Sequence, residues 1–218
     1  DLGPVPNPAS PGRRHHHLPV PVANVGWFAN NPEIFQKVGN VLLNNIEQSN
    51  VDFKQYVVAE DLLELCDAEV QDNFNNYINV NIPNINKTRL STNTKAIIAD
   101  NFRILQGSEV KENIIPWIEK NKPNISPEIR SRIDMASKIT DVEVSRALIF
   151  RNTLIDEIEK SLPKGTIAVF PTSPFSAPKS GQDDKSLGSF RKRLMELTSI
   201  AGMTSRPQIT IPRLKDKS

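Results

Sequence analysis

Covalent hydrolysis by a side chain needs a nucleophile, a base within hydrogen-bond reach, and donors aimed at the developing oxyanion. The donors are usually backbone N–H groups on a glycine-rich turn, where the absence of Cβ lets them crowd a reacting carbonyl. This sequence has 9 glycines and no two are adjacent. Gly-x-Ser-x-Gly, Gly-x-Gly-x-x-Gly and the phosphate-loop pattern do not occur. Ser161-Leu162-Pro163-Lys164 matches Ser-x-x-Lys in letters only, because Pro163 breaks the turn that would set Lys164 beside Ser161. Cys66 sits in an apolar run with Leu62, Leu63 and Leu65, and no histidine follows position 17 to activate it, so a buried neutral thiol is expected. His15, His16 and His17 follow Arg13 and Arg14 without a cysteine or acid nearby, the pattern of a polar tail rather than a metal site. The acidic groups Asp156, Glu157 and Glu159, and Asp183 with Asp184, fall on positions expected to face solvent. The inventory assigns no catalytic residue, no metal ligand and no cofactor.

Composition narrows the classes further. A chain of 218 residues with 38% apolar and 24% charged residues is globular in balance and long enough for one sizeable core. A net charge of +2 predicts no strong pull on nucleic acid or anionic membranes, and the cluster Arg191, Lys192, Arg193 reads as a solvated helix face. No apolar run reaches the roughly 18 residues of a membrane span, so no direct membrane insertion is expected. The expected location is the cytosol or the outer surface of an organelle.

The elements that would position any site can be placed from local signals. Six prolines between Pro4 and Pro21 make residues 1–24 an irregular tail, and 213–218 form a polar tail. Asn31-Pro32-Glu33 opens a helix carrying Ile34, Val38, Val41 and Leu42 on one face. Gln55–Ala59 reads as a strand, and 61–78 as a helix interrupted around Asn73, Asn75 and Asn76. Asn79–Asn86, containing Pro83, reads as loop or poor edge strand. Ile98, Phe102 and Leu105 mark one helix face, and Val110, Ile114, Trp117 and Ile118 another beyond Gly107. Ser126-Pro127-Glu128 opens a further helix, and Thr140-Asp141-Val142-Glu143 is a capping box for a helix running to about Lys160. Thr166–Phe170 is a buried-strand run, followed by loop up to Gly188, a helix marked by Phe190, Leu194, Leu197 and Ile200, and a last short strand over Gln208–Ile211. Strands alternating with long helices imply an α/β fold.

Three segments carry a resemblance. Asn24-Val25-Gly26-Trp27-Phe28-Ala29-Asn30-Asn31-Pro32 is similar to the segment that follows the active-site loop of amidase-signature enzymes. Val169-Phe170-Pro171-Thr172-Ser173-Pro174 resembles that family's strand ending in Pro-Thr-x-Pro, whose loop borders the acyl pocket. Ser189-Phe190-Arg191, Leu197-Thr198-Ser199-Ile200-Ala201-Gly202-Met203 and Gln208-Ile209-Thr210-Ile211-Pro212 resemble its closing helix and strand. The match covers residues 24–212 and is nearest to the plant branch, which holds indole-3-acetamide amidohydrolases and the amidase-like import receptors of chloroplast and mitochondrial outer envelopes.

The resemblance implies a partial amidase-signature fold over 25–212, a few-stranded mixed sheet covered by long helices. It implies Trp27, Thr172, Ser173 and Phe175 as substrate-pocket residues. The family's lysine, bridging serine and serine nucleophile all lie N-terminal to its counterpart of Trp27, and residues 1–24 do not reproduce them. The chain alone is therefore expected to be inactive, with a small carboxamide such as indole-3-acetamide as substrate if missing segments completed it. The alternative is a non-catalytic amidase-like binding module with a protein partner. Uncovered sheet edges and apolar helix faces predict poor solubility.

Overall fold

The computed structural model describes residues 26–43, 53, 55–178 and 184–212. The proline-rich tail with His15–His17, Asp183 and the 213–218 tail lie outside the described residues.

Helix α1 (Pro32–Leu42) starts as its sequence dictates, with the Asn31 side chain accepting from the Ile34 N–H at 2.9 Å. Strand β1 (Gln55–Ala59) leads into the short helix α2 (Glu60–Leu63), then α3 (Ala68–Asn81) and strand β2 (Asn86–Thr88). Four helices follow: α4 (Lys95–Asn113), α5 (Ile115–Asn121), α6 (Pro127–Ser137) and α7 (Asp141–Ser161). Strand β3 (Thr166–Val169) and helix α8 (Asp184–Thr204) complete the described elements.

The three strands form one sheet in the order β2-β1-β3, with Val57 opposite Asn86 on one side and Ala168 on the other. The expected sheet was mixed; every described strand runs parallel. Parallel strands are joined by helices that cover both faces, so the central strand is apolar without alternation. Val57, Val58 and Ala59 are accordingly all buried. Val57 and Ala59 face the larger core, with Leu62, Ile98, Leu105, Leu154, Leu197 and Met203. Val58 faces the opposite layer, with Leu63, Phe74 and Ile78 of α2 and α3.

Several boundaries differ from the sequence expectation. The break expected near Asn73 falls instead at Glu64–Asp67, and α3 runs unbroken through the asparagines because buried Phe74 and Ile78 anchor it. Helix α3 also continues to Asn81, and Asn84 makes the turn into β2 with φ 63°. Helix α4 passes through Gly107, where a Cβ would lie 2.3 Å from Ile139 Cδ1; glycine there lets the end of α6 close in. Helix α8 begins at Asp184, inside the stretch expected as loop. Gln208–Ile211 is not a strand: Ile209 and Ile211 are exposed and no described strand lies beside them, and apolar residue types alone make no ladder. The capping box of α7 and the N-cap of α6 form as read, with Thr140 N–H donating to Glu143 Oε2 at 2.8 Å and Ser126 Oγ accepting from Ile129 N–H at 3.4 Å.

Residues 90–94, which join β2 to α4, are held by two carboxylates from distant elements. Asp61 of α2 is buried and accepts the N–H groups of Leu90 at 3.1 Å and Ser91 at 3.2 Å. Its second oxygen lies 2.5 Å from Lys95 Nζ, and both side chains are almost fully enclosed. From the other side Glu157 of α7, expected to face solvent, accepts from Ser91 Oγ at 2.7 Å, Thr92 N–H at 2.6 Å, Thr92 Oγ1 at 2.7 Å and Asn93 Nδ2 at 3.0 Å. Burial pushes the Glu157 carboxyl up, but the hydrogen bonds from Thr92, Ser91 and Asn93 outweigh it and hold the group below the usual carboxylate range. Ser161 adds a third tie, donating to the Leu90 carbonyl at 2.9 Å.

Two outcomes follow from this clamp. Removing one partner of a buried ion pair leaves the other uncompensated, so Lys95→Met should lower urea-unfolding stability by about 3–5 kcal/mol. Asp61→Asn added to Lys95→Met should recover a large part of that loss, since the amide oxygen can still accept a backbone N–H; full additivity of the two losses would show the pair is not coupled. A carboxyl whose folded pKa lies below its unfolded value of about 4.3 contributes stability that is complete above that value and is lost as pH falls through the folded pKa. The melting temperature should therefore fall on acidification below about pH 4.3, and Glu157→Gln should make that acid limb shallower. An unchanged limb would remove Glu157 from the account.

Candidate functional site

Phe170-Pro171 follows strand β3, and the prolines at 171 and 174 force the chain outward into the segment Thr172–Phe175. Pro171 and Pro174 are buried, and the Pro174 carbonyl accepts the Asp67 N–H at 2.8 Å, so the loop is fixed at both proline positions. Ser173 Oγ donates to the Phe175 carbonyl at 2.7 Å, closing a small turn and leaving the Ser173 side chain on the exposed surface. Thr172 is half-buried between the two prolines.

Phe175 is held by two side chains of α8. Its ring lies 3.6 Å, centroid to centroid, from that of Phe190 in α8, at an interplanar angle of 35°. The Arg193 guanidinium stands 5.1 Å from its centroid, within cation–π range. Arg193 also donates to the Leu65 carbonyl at 3.0 Å and to Asp67 Oδ1 at 2.7 Å. One guanidinium thus ties α8, the α2–α3 connection and the loop after β3 together. The sequence placed Arg193 on a solvated basic face with Arg191 and Lys192. Those two neighbours are exposed, but the helix turn carries Arg193 inward. Nothing local distinguishes it from them; its partners lie about 126 residues away in sequence.

Trp27 packs elsewhere. Its Nε1 donates to the Phe35 carbonyl at 3.1 Å, and its ring tilts against Phe35 at 4.9 Å. Gly39 makes room for it, since a Cβ there would lie 3.1 Å from Trp27 Cζ2. The structure therefore brings Thr172, Ser173 and Phe175 into one loop and holds Trp27 against α1. None of Trp27's hydrogen-bond or ring partners belongs to that loop.

Among the described residues, Cys66, Ser91 and Ser161 are each engaged otherwise. Cys66 is buried, and desolvation pushes its thiol up to about 11, so it stays protonated at neutral pH. Lys95 and Ser91 approach one another, but Lys95 Nζ faces the Ser91 and Asn93 carbonyls at 3.5 Å each and pairs with Asp61. The Ser91 hydroxyl donates to Glu157 and accepts from Asn93 N–H at 3.0 Å, so no base is placed to take its proton. Ser161 Oγ donates to main-chain carbonyls, and Lys164 is exposed. No group of three or more histidine, cysteine or acidic side chains that could hold a metal ion occurs among the described residues.

Comparison with known proteins gives a consistent picture. No protein-family model matches the chain. It is 28% identical to "Amidase 1" of Arabidopsis thaliana over 220 aligned residues, 86% of this chain and 52% of that protein. It is 27% identical to "Outer envelope protein 64, chloroplastic" of the same plant, over 88% of this chain and 38% of that protein. The chain thus spans about half the length of one curated relative and under two fifths of the other. Among solved structures, a crystal structure of an amidase superimposes with a TM-score of 0.58, covering 77% of this chain and 41% of that chain at 17% identity, a likeness of fold. The chain is a homologue of Amidase 1 and of outer envelope protein 64, with an α/β fold like that of part of a solved amidase.

Proposed function

We propose that the chain is the substrate-pocket portion of a carboxamide hydrolase and is inactive without further segments. The observation that carries this reading is the alignment with Amidase 1 over 86% of the chain, joined to a residue inventory in which Lys95, Ser91 and Cys66 all have structural partners or remain protonated. Thr172 and Ser173, on a loop pinned by two buried prolines, are the side chains best placed to line a pocket wall. Phe175 would form its base, steadied by Phe190 and Arg193. Trp27 would reach that pocket only as part of the α1 unit against which it packs. A pinned loop suits this role because substrate positioning is lost with displacements near 1 Å. The substrate would be a small aryl or alkyl carboxamide such as indole-3-acetamide.

A second reading, a binding module without catalysis, is favoured by the match to an outer envelope protein. No helix among the described residues is long and apolar enough to cross a membrane. Under either reading the chain would work in the cytosol or at an organelle's outer surface.

The readings separate by assay. Incubated with indole-3-acetamide, the purified chain should release no ammonia above the buffer blank; turnover removed by boiling would overturn the inactive-portion reading. Immobilised chain exposed to outer envelope extracts should retain a protein only under the second reading, and an empty eluate counts against it.

A further inference from the structure

Three serines of the chain are followed by proline: Ser10, Ser126 and Ser173. Ser10 lies outside the described residues. Ser173 is exposed, but its hydroxyl is engaged by the Phe175 carbonyl, and Pro174 is buried with its own carbonyl held by Asp67 N–H. Ser126 differs in each respect. It and Pro127 are both exposed, and its backbone is extended at φ −64° and ψ 153°, as a residue before proline prefers. Residues 122–126 carry no regular secondary structure, and the buried residue of α6 is Ala136, near its far end. The chain around Ser126-Pro127 can therefore enter an enzyme cleft with the opening of a lightly anchored first turn.

The surroundings suit an added anion. Lys122, Pro123 and Arg130, with Ile118 and Glu119, line an open groove of about 370 Å³ between α5 and α6. Arg130 lies one helical turn beyond Ser126, and its N–H donates to the Ser126 carbonyl at 3.0 Å. The charged ends of Lys122 and Arg130 make no hydrogen bond or ion pair among the described residues. Glu128 is the acid closest to Ser126 in sequence; the Ser126 hydroxyl, its own N–H, Arg191 and Arg132 hold its carboxyl below the usual range. We propose that Ser126 is a phosphorylation site for a proline-directed protein kinase, and that Arg130 and Lys122 then bind the phosphate. In the transfer the Ser126 hydroxyl oxygen attacks the γ-phosphorus of ATP and the bond to the bridging oxygen breaks. ADP leaves, and the hydroxyl proton passes to the catalytic aspartate of the kinase. The new group carries about two negative charges, enough to turn a groove of two cations and one anion from net positive to net negative. This face would thus act as a charge switch, independently of whether the chain belongs to a hydrolase.

The test is incubation of the full chain with ATP and an activated mitogen-activated protein kinase, with the modified residues mapped by peptide mass. Ser126 should gain one phosphate about tenfold faster than Ser173, whose turn and buried proline must open first. Ser126→Ala should remove that phosphopeptide and leave any at Ser10 unchanged. Hydrogen exchange then reads the second half of the proposal. The amides of Ile129 and Arg130 should slow about two- to fivefold on phosphorylation, through the added charge-assisted contacts. Lys122→Gln with Arg130→Gln should still be phosphorylated but lose the slowing. Phosphate confined to Ser10 or Ser173, or none at all, would overturn the site. Equal slowing with and without the two cations would overturn their role in holding the phosphate.

Discussion

The contact on which the described structure most depends is the buried pair of Asp61 and Lys95, closed at 2.5 Å with both side chains almost out of solvent. Ions removed from water carry a desolvation cost of several kcal/mol each, which is met only if the remaining lone pairs and protons also find partners. Asp61 meets that condition by accepting two backbone N–H groups at the start of the loop that follows β2. Lys95 is the first residue of α4, so the pair fixes where that helix begins relative to α2 and the sheet. Glu157 grips the same loop from α7. Helices α2, α4 and α7 therefore meet at this one short loop, and the larger core lies against them.

That arrangement bears directly on chemistry. A lysine and a serine four positions apart invite comparison with a lysine–serine hydrolase, and here the comparison fails on geometry. The ammonium is neutralised by a carboxylate, the hydroxyl proton points to Glu157, and backbone carbonyls, not amides, surround Lys95. An oxyanion needs N–H donors converging on empty space; the N–H groups of Leu90, Ser91 and Thr92 already converge on carboxylates. The loop after β3 has the opposite character, with few internal demands beyond its prolines and an exposed Ser173. Structure-forming polar groups and surface-facing ones are thus segregated.

What could be read from the sequence was what depends on near neighbours. Asn31, Ser126 and Thr140 announce their helices because a cap and the backbone N–H that donates to it lie three residues apart. The strand Gln55–Ala59 and the run from Thr166 declared themselves by apolar continuity, which a doubly covered parallel strand requires. Cys66 was read as a buried neutral thiol for the same kind of reason. Contacts between distant positions were invisible: Asp61 with Lys95, Glu157 with residues 91–93, Arg193 with Asp67, and the buried Arg151 that donates to the Met203 carbonyl at 2.8 Å. Each is a charged residue that any solvent-facing expectation would misplace. The strand read at Gln208–Ile211 shows the reverse error, since strand-forming residue types say nothing about whether a partner strand is present. The pocket residues stand apart, because they came from resemblance alone.

The central claim is that the serines near lysine are structural and unreactive. Intact-mass analysis after exposure to a fluorophosphonate, which modifies activated serine hydroxyls, tests this without presuming any substrate. The account predicts an unmodified mass under conditions that fully label a serine hydrolase. Stoichiometric addition mapped to Ser91, or to another serine of this chain, would contradict it.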